Sequence, residues 1–98
     1  MKVDIKKSTN SKKKLMAIFY DDSGKKIKTT HFGASGMSDY TKHKDDERKK
    51  LYLARHKKNE NWNNYMTPGS LAKHILWSEP TFEASYNKYL KKFNLKKY

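Results

Sequence analysis

The side chains best suited to metal or acid–base chemistry in this chain are four histidines, His31, His43, His56 and His74. A hairpin followed by a helix is the order used by small metal-dependent nucleases of the ββα type. Those sites need a histidine near the end of the first hairpin strand and further ligands on the helix. The strand expected over 13–20 holds no histidine, and no two histidines stand at helical ligand spacing. Surface or hydrogen-bonded histidines are therefore expected, with no metal and no cofactor. Gly33-Ala34-Ser35-Gly36 has the spacing of a loop that clamps backbone nucleotides in some RNA-binding modules, but here it follows a strand rather than joining two helices. The P-loop and dinucleotide fingerprints are absent. Met37-Ser38-Asp39-Tyr40-Thr41 gathers a carboxylate, a phenol and hydroxyls beside His43. His31, Asp39, Tyr40 and His43 are thus a loop candidate site. Its Ser and Asp residues are equally suited to stabilising the loop through local backbone hydrogen bonds. With no nucleophile–base pair in view, an enzyme is not expected, and no small-molecule substrate is evident.

Charge is the stronger signal. Twenty-one lysines and two arginines face ten acids, a net charge of +13. Residues 1–30 carry nine lysines against three acids, residues 42–58 eight basic side chains against three, and residues 85–98 five lysines and no acid. The stretches between them, 31–41 and 59–84, are slightly acidic and hold both tryptophans and both prolines. Segregation of this kind suits phosphate backbones or other anionic surfaces. The candidate polyanion-binding residues are Lys12, Lys13 and Lys14 in the first block. Lys49, Lys50, Lys57 and Lys58 represent the second, and Lys91 and Lys92 the third. The plainer alternative is a solubilising lysine coat.

The elements that must position these residues are read from periodicity. Ninety-eight residues fit one domain, 1–98, with 1–12 a candidate flexible lead-in and 33–44 a long functional or structural loop. Hydrophobic residues are only 35% of the chain but aromatics reach 13%, which predicts a small core of large rings. Val3 and Ile5 alternate with polar neighbours, and residues 13–20 read as a middle strand covered on both sides. Asp21-Asp22-Ser23-Gly24 turns the chain into a third strand over 25–32. A helix is expected over 45–58, with acids in its first turn and basic residues in its last. Thr67-Pro68 opens a helix over 68–77, and Pro80-Thr81 restarts the chain into a last one. Trp62, Trp77, Tyr86, Tyr89 and Phe93 stand at spacings expected of core rather than of base-stacking platforms. The fold class is α+β: a small antiparallel meander of two or three strands packed with three helices.

No cysteine is present, which excludes disulfides and thiolate metal sites and suits a reducing compartment. No apolar run is long enough to span a bilayer, and the N-terminal residues lack the apolar region of a signal peptide.

A longer pattern runs through Lys28-Thr29-Thr30-His31-Phe32-Gly33, Gly36-Met37-Ser38-Asp39-Tyr40-Thr41, His43-Lys44-Asp45 and Glu47-Arg48-Lys49. Arg55-His56, Ile75-Leu76-Trp77 and Pro80-Thr81 continue it, so it covers roughly residues 13–95. This string resembles a family of small uncharacterised proteins encoded by large nucleocytoplasmic DNA viruses (giant viruses). The resemblance implies a viral protein, working in the host cytoplasm (the viral factory) or in the virion, and brings no catalytic residue with it. A nucleic-acid-binding, genome-associated protein is the leading expectation. A minor virion component or small adaptor subunit, its basic blocks facing acidic viral or host protein partners, is the alternative. On the helix over 45–58, Arg48 and Arg55 share a side with Leu51 and Tyr52. They are expected to be structural, packing on Tyr52 and pairing with a carboxylate such as Asp39 or with carbonyls of the 33–44 loop, while Lys49, Lys50 and Lys57 form the exposed face.

Overall fold

The computed structural model describes residues 1–58 and 61–98. Strands β1 (Lys2–Lys7), β2 (Lys13–Tyr20) and β3 (Lys26–Ala34) form an antiparallel meander. A two-residue strand, β4 (Lys96–Lys97), adds to β1 in parallel and completes a mixed sheet of order β3-β2-β1-β4. Between β3 and β4 lie α1 (Tyr40–His43), α2 (Asp46–His56), α3 (Pro68–Leu71), a π-helical turn (Ala72–Leu76) and α4 (Phe82–Lys92). The class is α+β, as expected, but with a fourth strand and a fourth helix. The lead-in over 1–12 is largely built into the sheet: β1 is an inner strand, with Val3 fully buried.

Alternation dictates how the sheet buries itself. Val3 and Ile5 of β1, Ala17 and Phe19 of β2 and Phe32 of β3 share one face and meet Leu71, Ile75, Leu76, Tyr86, Tyr89 and Leu95. Large rings carry this core, and their polar ends are satisfied: the Tyr86 hydroxyl donates to the Val3 carbonyl (3.0 Å), that of Tyr89 to Tyr65 (2.8 Å). Met16 and Ile18, on the opposite face of β2, are also buried, yet lie outside that cluster. β2 is therefore the inner strand expected, with buried residues on both faces.

The helix starts follow from single side chains. Asp45 accepts from the backbone N–H of Glu47 and Arg48, Thr67 from Ser70, and Thr81 from Ala84. The helix expected over 68–77 is α-helical only to Leu71 and then widens into the π turn, which buries His74, Ile75 and Leu76 in succession. The loop expected over 33–44 is shorter than it reads: β3 runs to Ala34, and Asp39 caps α1. Gly33 has φ +77°, a conformation strained for any other residue, and a Cβ there would lie 2.7 Å from Leu76 Cδ1, which would have to shift. α2 buries no residue and docks chiefly by ring stacking, Tyr52 on Trp77 at 4.1 Å and 3°. Among the described residues no helix is long and apolar enough to cross a membrane.

Candidate polyanion interface

Four lysines distant in sequence meet in one place. Lys49 comes from α2, Lys73 from the π turn, and Lys88 and Lys92 from successive turns of α4. They line a cavity of about 260 Å³ whose wall includes Trp77 and His74, and no Asp or Glu lines it. The docking of α2 on Trp77 sets the position of Lys49, whose Nζ donates to the Ser78 carbonyl at 2.6 Å. The Lys73 ammonium lies over the Trp62 ring, 4.3 Å from its centroid. Lys88 reaches out to Glu79 at 2.9 Å, an exposed pair of little energetic weight. Burial, then repulsion from Lys92, Lys88 and Lys49, holds the Lys73 ammonium below the usual lysine range.

His74 reports the same field. Burial, reinforced by Lys73, Lys92 and Lys88, outweighs its hydrogen bond to the Trp62 carbonyl and lowers it from 6.5 to about 4. At neutral pH the ring is uncharged, and Nε2–H donates to that carbonyl at 3.2 Å. The cavity thus combines ammonium groups, a neutral imidazole and an indole, a set suited to an anionic oxygen cluster such as a phosphate.

The other residues singled out in the sequence are dispersed. Lys50, Lys57, Lys58 and Lys91 are exposed elsewhere on α2, beyond its end and on α4, and Lys12 and Lys13 stand at the β1–β2 turn. Lys14 turns inward: its Nζ meets Asp39 at 2.5 Å, with the two side chains 13% and 3% exposed. The carboxylate expected to pair with arginine is therefore taken by Lys14, itself expected among the polyanion-binding residues. Burial alone would raise the Asp39 carboxyl, but hydrogen bonds from Lys14 and Thr41 hold it below the usual range. Arg48 and Arg55 are exposed, and among the described residues neither forms an ion pair. They flank a groove of about 940 Å³ with Met37, Leu51 and Leu76.

The loop candidates do not form one site either. Asp39 caps α1, Tyr40 donates its hydroxyl to Asp46, and His43 Nδ1 accepts from the Asp45 N–H. His31 bonds to Ser8 at the β1–β2 turn. Among the described residues no three of His, Asp and Glu are grouped to hold a metal. Sequence reasoning missed Lys73 and Lys88 and the use of Trp77 as a cavity wall. Lys73 sits inside an acidic stretch, so a reading by charge blocks passes over it.

No curated protein and no solved structure matches the chain. Residues 3–56, from β1 through the end of α2, match a protein family described as "Family of unknown function (DUF5754)". The matched segment contains Lys49 but none of the other cavity lysines. It covers more than half of the sequence, and the chain belongs to that family.

Proposed function

We propose that the protein binds nucleic acid through sequence-independent phosphate contacts, as a genome-associated viral protein of the host cytoplasm or virion. The observation that carries this reading is the cluster of Lys49, Lys73, Lys88 and Lys92, whose cavity has no acid in its wall. Clustering like charges costs stability in the free protein, and an anionic ligand offsets that cost when it binds. The net charge of +13 adds a long-range attraction for a phosphate backbone. No enzymatic step is part of this function.

A second reading, an adaptor subunit with an acidic protein partner, rests on the groove between Arg48 and Arg55, whose neighbours Met37 and Leu51 are 63% and 56% exposed. Titration with fluorescent oligonucleotides separates the two. Nucleic-acid affinity should fall more than tenfold between about 50 and about 200 mM salt, as expected when roughly five phosphates are neutralised. Joint Lys73→Ala and Lys92→Ala substitution should weaken binding at the lower salt. Absence of binding at the lower salt would end this reading in favour of the adaptor.

A further inference from the structure

The face of the sheet turned away from the core has its own composition. Register places Lys2, Asp4 and Lys6 of β1 beside Tyr20, Ile18 and Met16 of β2, with Lys26, Thr29 and His31 of β3 on their far side. Lys96 of β4 pairs with Lys2, and the Tyr98 N–H donates to the Val3 carbonyl at 3.0 Å, continuing the parallel ladder. Tyr98 thereby comes to the same face as Tyr20, and their rings stack across β1 at 3.7 Å and 11°. The core tyrosines Tyr86 and Tyr89 are at most 4% exposed, but Tyr98 is 58% exposed. Three lysines flank the pair in the register: Lys2 and Lys26 stand on either side of Tyr20, and Lys96 stands beside Lys2. Two carboxylates share the surface: Asp4 meets Lys6 at 3.4 Å, and the exposed Asp22 meets the N-terminal ammonium at 2.7 Å and also feels Lys2 and Lys96, so the lysine excess there is partly offset.

Resting on the nucleic-acid reading above, we infer that this face binds single-stranded nucleic acid, with an unpaired base continuing the Tyr20–Tyr98 stack on the open side of Tyr98. Flanking phosphates lie against Lys2 and Lys96 on one side and Lys26 on the other. Two features choose this occupant. The excess of lysine complements a phosphate backbone, and a pre-stacked ring pair presents a rigid π surface that any base can extend. A duplex keeps its bases stacked inside and has no free ring face to offer, so it gains only the charge. The surface therefore discriminates by strandedness rather than by sequence.

The test compares a single-stranded oligonucleotide of about ten nucleotides with a duplex of equal phosphate count at low salt. Folding of each variant is checked by circular dichroism. Tyr98→Ala should weaken single-strand binding by about 5- to 100-fold, the loss of one stacked base, and leave duplex binding unchanged. Tyr98→Phe should retain binding, and Lys26→Ala should weaken both ligands alike. If Tyr98→Ala leaves single-strand affinity intact, or lowers both affinities equally, the inference is wrong. It is equally wrong if that variant only dissociates a dimer in sedimentation, which would show a second copy covering the face. If both oligonucleotides bind and only the joint Lys73→Ala, Lys92→Ala variant weakens them, the proposed function stands and the stacking face falls. If neither oligonucleotide binds the native protein, both fall together.

Discussion

Near the start of β2, Lys14 leaves the solvent together with Asp39. Between α2, the π turn and α4, Lys73 is half-buried among three other lysines. The same side chain serves opposite ends in the two places. Beside Asp39 the ammonium has a carboxylate that is itself held by Thr41, so charge, hydrogen bonds and the α1 cap are satisfied together. Around Lys73 the neighbours repel, and in the function proposed above an anion from outside would offset that repulsion. A buried lysine is thus structural or functional according to the sign of what it is buried against.

The sharpest way to break this comparison is at Lys14. Lys14→Met leaves Asp39 buried with no cation and should cost about 3 kcal/mol, since removing one partner strands the other charge. In a domain of this size that lowers Tm by roughly 10–20 °C in thermal unfolding. Asp39→Asn with Lys14→Met should recover part of the loss. A Lys14→Met protein as stable as the native one would show that the pair is incidental.

His74 tests the field around the cluster. Its folded-state value, about 4, lies below the ordinary 6.5, so the unfolded chain takes up the proton first as pH falls. Stability from the neutral ring is complete above about pH 6.5 and is lost on acidification toward pH 4. Allowing for partial solvation, about 2 kcal/mol should disappear across that window in urea titrations. His74→Gln should flatten the slope. The Asp39 carboxyl, held below the usual range, contributes its own loss only at lower pH.

The smallest expected effect on stability is at Lys73 itself. Lys73→Met removes a repelled charge and should raise stability by up to about 1 kcal/mol. Inorganic phosphate should raise Tm more in the native protein than in this variant at matched ionic strength. Destabilisation by Lys73→Met, or equal protection by phosphate, would place Lys73 with Lys14 as a structural residue.

How much of this was legible beforehand differs by element. Asp45, Thr67-Pro68 and Thr81 mark helix starts because a cap is a contact between neighbours in sequence. The apolar run of β2 marked an inner strand for a similar local reason. Residues 37–41 carry the composition of a loop, although the Asp39 side chain caps a helix there. α1 is a single turn, too short to show a period. β4 was invisible: two lysines have no strand signature, and only pairing with β1 defines them. The break from α-helix to π turn after Leu71 belongs to the same class, with no local residue announcing it.

The sequence by itself determined the α+β class, the charge, the ring-rich core and most helix caps. Each of these depends on composition or on residues within a turn of one another. Only the tertiary structure decided which of the 21 lysines lie together, that Lys14 rather than an arginine holds Asp39, and that Tyr20 and Tyr98 share an open face. Charge and ring contacts are set by distance in space. Lys49, Lys73, Lys88 and Lys92 come together because α2 docks on Trp77 and the π turn packs against α4, which no spacing along the chain encodes.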